Sequence, residues 1–223
     1  MNEFGTKAYS KIVRWFSRFF VAFLFGAFLA ILAYLLRRWD DLDIIRVYVY
    51  FFFFILYVNI EFRTFRGPDE AAYADFIWVR YLLTYSWWFL IVGSLLEHAL
   101  TLRTVPTLSI IGIVLSLAGI VLGYSARRAI QGELSPRVDT WANMRIVEKG
   151  PYAVIRHPSY AANMLLVIGM PLILSSLVCL VFSAILIVLF LRRLLWEEQV
   201  LIERLPEYAE YVQRTDRLIP RVW

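Results

Sequence analysis

Residues 160–191 form an apolar run of 32 residues that contains no charged side chain. As one helix it would be about 48 Å long at a rise of 1.5 Å per residue. The hydrocarbon core of a bilayer is only about 30 Å thick. Pro171 lies near the middle of the run, and Ser175-Ser176 follow it. The reading is a helical hairpin, with arms at 160–174 and 177–195. One strongly tilted helix is the alternative.

The rest of the chain agrees with a membrane setting. Of its 223 residues 61% are apolar, against about 45–50% in soluble domains. Further apolar runs lie at 19–36, at 44–60 with Phe51, Phe52, Phe53 and Phe54, at 76–96 and at 107–124. The expected fold is an all-α integral membrane protein. It is a bundle of about six transmembrane segments, the last two a helical hairpin, with a cytosolic amphipathic C-terminal helix starting near Pro206. Residues 1–125 would supply the N-terminal spans and 126–223 the catalytic region, as one structural unit. With six spans and a cytoplasmic N-terminus, the inner segments hold 19 Lys and Arg and the outer segments four. That asymmetry follows the positive-inside rule. It also returns the tail to the face that carries Arg156, His157 and Pro158. The expected location is a multi-pass protein of a prokaryotic plasma membrane, with both termini cytoplasmic.

The net charge of +5 fits basic ends against anionic headgroups rather than nucleic acid binding. Cys179 is the only cysteine, so an intrachain disulfide and a cysteine-based metal site are excluded. Dinucleotide, P-loop and nucleophile-elbow signatures do not occur. Interrupted spans in matching halves, the mark of many transporters, do not occur either.

Two polar clusters border the hairpin. The first is Gly150-Pro151-Tyr152 with Arg156-His157-Pro158-Ser159-Tyr160. As plain structure it is a helix start with Pro158 at N1. That reading leaves a consecutive Arg-His unexplained, whereas exposed N–H groups at a helix start suit an anionic ligand group. The second cluster is Arg192-Arg193 with Glu197-Glu198. Arg193 and Glu197 have the spacing of a structural i,i+4 pair. In a site, a carboxylate there would hold a ribose diol or an ammonium, and an arginine a substrate carboxylate. Arg46, Asn59, Glu61, Arg80, Glu97, His98 and Asn163 lie in or near spans, mostly at ends where side chains snorkel. Glu97 and His98, being adjacent, point to different helix faces and make a poor metal pair.

Taken together, Ile146-Val147, Gly150-Pro151-Tyr152, Arg156 to Tyr160, the hairpin, and then Arg193, Glu197-Glu198, Leu201, Tyr208, Tyr211 and Pro220 resemble the isoprenylcysteine carboxyl methyltransferase family. Phospholipid N-methyltransferases share much of this pattern. The likeness covers about residues 140–223. It implies a membrane-embedded methyltransferase that uses S-adenosyl-L-methionine and acts on a prenylcysteine-like or other lipophilic carboxylate. The partners it implies are that substrate and membrane lipids, with no nucleic acid and no metal. Tyr152, His157, Pro158, Ser159 and Tyr160 would line the cofactor, with Met144, Arg145, Ile146 and Val147 beside it. Met144 stands where many members have histidine. Glu198 would close the pocket and bind the cofactor, and Arg193 would hold the acceptor carboxylate. Glu197 would take the proton if the acceptor were an amine. An NADPH-dependent sterol-reductase-like enzyme and a non-catalytic scaffold of the same fold are the competing readings. Sterol reductases have an Arg-His-Pro-x-Tyr pattern, but with asparagine at the position of Ser159.

Overall fold

The computed structural model describes residues 44–64, 77–131 and 146–223, with six further positions between 26 and 37. Among the described residues there are six α-helices and no strand. They are α1 (Ile44–Thr64), α2 (Ile77–Thr101), α3 (Pro106–Gln131), α4 (Pro158–Ile173), α5 (Leu177–Arg204) and α6 (Pro206–Arg214), with a 3-10 turn at Gly150–Ala153. Among the described residues, two stretches are long and apolar enough to cross a membrane, Pro106–Ile130 and Leu177–Arg204. The span expected at 19–36 falls outside the described residues save for isolated positions.

The 160–191 run is two helices. The break falls at Leu174-Ser175-Ser176, where Ser175 has φ +57°, a few residues past Pro171. Turn hydrogen bonds from Ser175 N to Leu172 O (3.0 Å) and from Ser176 N to Pro171 O (2.9 Å) close the bend. The arms run antiparallel. Tyr160 meets Phe190 edge to face, and Ser183 on α5 donates to the carbonyl of Val167 on α4 at 2.6 Å. Proline lacks the N–H that a helix would send from residue 171 to residue 167. The Ser183 hydroxyl supplies that missing donor, which matters where no water can.

The bend is held by α2 and by the start of α3. Both Glu97 carboxylate oxygens accept backbone N–H groups of the first turn of α5, from Val178 and Cys179, each at 3.0 Å. These are among the amides that a helix leaves unpaired at its start. His98 Nδ1 lies 3.0 Å from Leu174 O, and Ser176 Oγ donates to Ser94 O at 2.9 Å. Glu97 and His98 thus secure the hairpin tip.

Helix α4 lies directly against α3 because glycine lets the backbones touch. A Cβ added at Gly112 would sit 2.5 Å from Ile173 N, and one at Gly119 would sit 2.9 Å from Ala162 O. Tyr50, Leu90, Leu95, Val167, Ile173 and Leu186 fill the shared core. With α4 pinned along its length, its first residues are delivered to the end of α3 and to the later turns of α5.

Candidate active site

Gly150 opens the polar stretch with φ +60°, a conformation that glycine adopts without the Cβ clash other residues meet. The 3-10 turn that follows carries Tyr152. Its hydroxyl is 3.3 Å from Ser159 Oγ in the first turn of α4, and its carbonyl accepts Tyr211 Oη–H from α6 at 2.6 Å. Burial raises the Tyr152 phenol above its ordinary value. Burial likewise pushes Tyr211 up to about 12, so both are neutral hydroxyls at physiological pH. Tyr208 and Tyr211 form the buried face of α6. Pro158 occupies N1 of α4 and His157 is its N-cap, with no side-chain cap bond.

The tail folds back onto this stretch. Arg156 N donates to Asp216 O at 2.8 Å, His157 N to Arg217 O at 3.2 Å, and Asp216 N to Val154 O at 3.1 Å. A parallel bridge pairs Ile155 with Asp216. Residues 154–157 and 216–217 are therefore locked together by main-chain bonds.

Glu198 sits where the stretch, the tail and α5 meet. It is buried, 3% exposed. Arg156 Nε donates to its Oε1 and Arg217 Nε to its Oε2, both at 2.6 Å. Arg156 is tied further by Nη1 to the carbonyls of Val212 and Thr215. His157 Nε2 lies 4.0 Å from Glu198 Oε1. That nitrogen is buried and has no hydrogen-bond partner among the described residues. Burial is the main cause that lowers the His157 pKa to about 4; Glu198 opposes the shift and Arg156 and Arg217 add to it. The imidazole is thus neutral at pH 7. Its ring stands edge to face with Tyr160, 5.7 Å between centroids, and Tyr160 Oη–H donates to Glu197 Oε2 at 2.5 Å.

Of the residues singled out in the sequence, Tyr152, His157, Pro158, Ser159, Tyr160, Glu197 and Glu198 come together. Ile146 and Val147 are half-buried on the extended lead to the turn. Met144 and Arg145 lie outside the described residues. Arg193 is half-buried one turn before Glu197. The Arg193–Glu197 pair that the spacing allowed is not formed, since Glu197 takes Tyr160 instead. Sequence reasoning did not single out the roles of Arg156 and Arg217 on Glu198. Arg156 was visible inside the motif; Arg217 stands in a charged tail where nothing distinguishes it.

Two spaces adjoin the cluster. An open groove of about 450 Å³ runs along the end of α3 and the turn, between Tyr124, Arg128, Lys149 and Pro151. A narrow crevice of about 10 Å³ is lined by Tyr57, Gly119, Arg127, Ser159 and Asn163, room for about one water.

Residues 108–203 match the model of the isoprenylcysteine carboxyl methyltransferase (ICMT) family. The cobalt-zinc-cadmium resistance protein CzcN of Cupriavidus metallidurans is 33% identical over 81 residues, 36% of this chain. The match spans 38% of the length of that relative.

Proposed function

We propose that this chain is an S-adenosyl-L-methionine-dependent carboxyl methyltransferase acting on a lipophilic acceptor, a reading supported by the match of residues 108–203 to the isoprenylcysteine carboxyl methyltransferase family model. The observation that carries this is the closure of residues 156–160 onto Glu197 and Glu198 across the hairpin. The residues present fit the cofactor. An unpartnered buried imidazole nitrogen on His157 accepts or donates one hydrogen bond. The carboxylate of Glu197 suits a hydroxyl or an ammonium, Glu198 serves the site by holding Arg156 and Arg217, and the rings of Tyr152 and Tyr160 offer flat apolar surface.

Bound there, the cofactor supplies an electrophilic methyl on a sulfonium. The protein's share is to position, to desolvate and to exclude water. A carboxylate acceptor is ionised at neutral pH, so no strong base is required of the site. Arg193, half-buried and with no hydrogen-bond or ion-pair partner among the described residues, is the residue we assign to the acceptor carboxylate. Glu197, anchored by Tyr160, is the proton acceptor should an amine take its place. His157, neutral at pH 7, binds and shapes rather than shuttles protons.

Calorimetric titration of the purified protein with S-adenosylhomocysteine tests the reading. Binding is expected, and His157→Ala is expected to remove it. Binding of NADPH in place of the nucleoside would overturn it.

A further inference from the structure

The two arginines on Glu198 are not equivalent. Arg156 is enclosed: its side chain is 7% exposed, and its Nη1 is committed to the carbonyls of Val212 and Thr215. Arg217 is 26% exposed. Its Nε is held by Glu198 Oε2, and its guanidinium carbon lies 4.9 Å from the centroid of the Trp223 ring. Its two terminal nitrogens have no hydrogen-bond partner among the described residues.

We propose that Arg217 is the site's second anion-holding residue, positioned by Glu198 and Trp223 to bind a carboxylate through its open terminal edge. A guanidinium held at Nε and over one face keeps a fixed orientation, and the remaining N–H groups form the fork that carboxylates match. Charge favours the same ligand. Glu198 is shared between two guanidinium groups, so it offsets only part of the charge on Arg217. The location is right as well, because the Arg217 carbonyl accepts the backbone N–H of His157. The residue is therefore part of the wall that carries the imidazole. This proposal rests on the methyltransferase reading. Within it, two carboxylates are available, that of the cofactor's amino-acid end and that of the acceptor.

The test compares ligands with and without the amino-acid end. S-adenosylhomocysteine and 5′-methylthioadenosine are titrated calorimetrically into the wild type and Arg217→Gln. If Arg217 holds the cofactor carboxylate, the variant binds S-adenosylhomocysteine more weakly by on the order of tenfold, the scale of one charged hydrogen bond, and binds 5′-methylthioadenosine as before. If it holds the acceptor carboxylate, both nucleosides bind unchanged, and KM for an N-acetyl-S-prenylcysteine rises by on the order of tenfold. A parallel weakening of both nucleosides marks a merely structural role and overturns the proposal. So does no change in either nucleoside or in KM. Should Arg217→Gln not fold, Arg217→Lys keeps the charge beside Glu198, removes the fork and is read in the same way. A wild type that binds neither nucleoside sinks the methyltransferase reading itself. Intact wild-type binding without the discrimination sinks only the assignment to Arg217.

Discussion

Ser183 on α5 donates its hydroxyl to the carbonyl of Val167 on α4 at 2.6 Å, the oxygen that Pro171 leaves without a helical partner. One side chain thus compensates for the proline and fixes the register of the two hairpin arms. Ser183→Ala strands a buried acceptor and is expected to cost about 1–3 kcal/mol. Thermal unfolding in detergent reads the loss. The double variant with Pro171→Ala, which restores the amide donor, should recover part of it. Equal stability of Ser183→Ala and wild type would refute the compensation.

Gly112 is where α3 and α4 approach most closely, with an added Cβ 2.5 Å from Ile173 N and 2.7 Å from Gly169 O. Backbone atoms do not yield as a side-chain tip would. Gly112→Ala is expected to destabilise by about 1–3 kcal/mol. Gly26, with nothing within 4 Å of an added Cβ, serves as the control. Similar losses from Ala at both positions would show that packing is not the cause.

Glu97 caps the start of α5 through Val178 N and Cys179 N. Glu97→Ala should fray that turn, at a cost of about 1 kcal/mol. The buried thiol of Cys179 gives a direct readout: its labelling rate with a maleimide should rise several-fold, on the order expected for an opening cheaper by that amount. An unaltered rate would count against the cap.

His157 makes stability depend on pH. Its native pKa is lowered to about 4 from 6.5, so between those values the unfolded chain holds the proton and the native chain does not. Stability therefore rises with pH through this window and is complete above 6.5. The full span is on the order of 3 kcal/mol. Urea unfolding of the wild type and His157→Gln at pH 5 and pH 7.5 isolates the contribution. Between pH 7.5 and pH 5 the difference between the two proteins should change by about 2 kcal/mol, the part of the span that lies above pH 5, and a constant difference would rule it out.

Glu198 holds two guanidinium groups in a buried setting, so removing it leaves positive charge without a counterion. Glu198→Ala is expected to cost about 3–5 kcal/mol, and Arg156→Met a comparable amount. The double variant should lose less than the sum, because the enclosed Arg156 is then not left without its carboxylate and only the more exposed Arg217 loses its counterion. Additive losses would show that the two side chains do not act as one unit.

The membrane class was legible in the sequence, because length and apolarity set it locally, and a hairpin in the 160–191 run was the reading preferred over one tilted helix until the structure separated the two arms. A run of 32 uncharged residues exceeds one bilayer crossing, and a proline followed by two serines marks where it bends. The site was half legible. His157, Tyr160 and Glu198 were recognisable as a pattern, since residues 156–160 cluster unlike chemistry at a helix start. Arg193 and Glu197 show the limit of spacing. An i,i+4 pair was open to them, yet Tyr160, 37 residues earlier in the chain, takes Glu197. Likewise Glu97 and His98 look like intramembrane chemistry, and only their partners at 174–179 show that they hold the hairpin tip.

What the sequence determined by itself is where this chain is apolar and where its polar residues cluster beside an apolar run. What only the tertiary structure decided is who meets whom. Arg217 reaches Glu198 because the tail pairs with residues 154–157 through main-chain bonds that any residue type can make, so no side-chain pattern announces them. The commitment of both Glu198 oxygens, and the open edge left on one arginine but not the other, are consequences of that pairing.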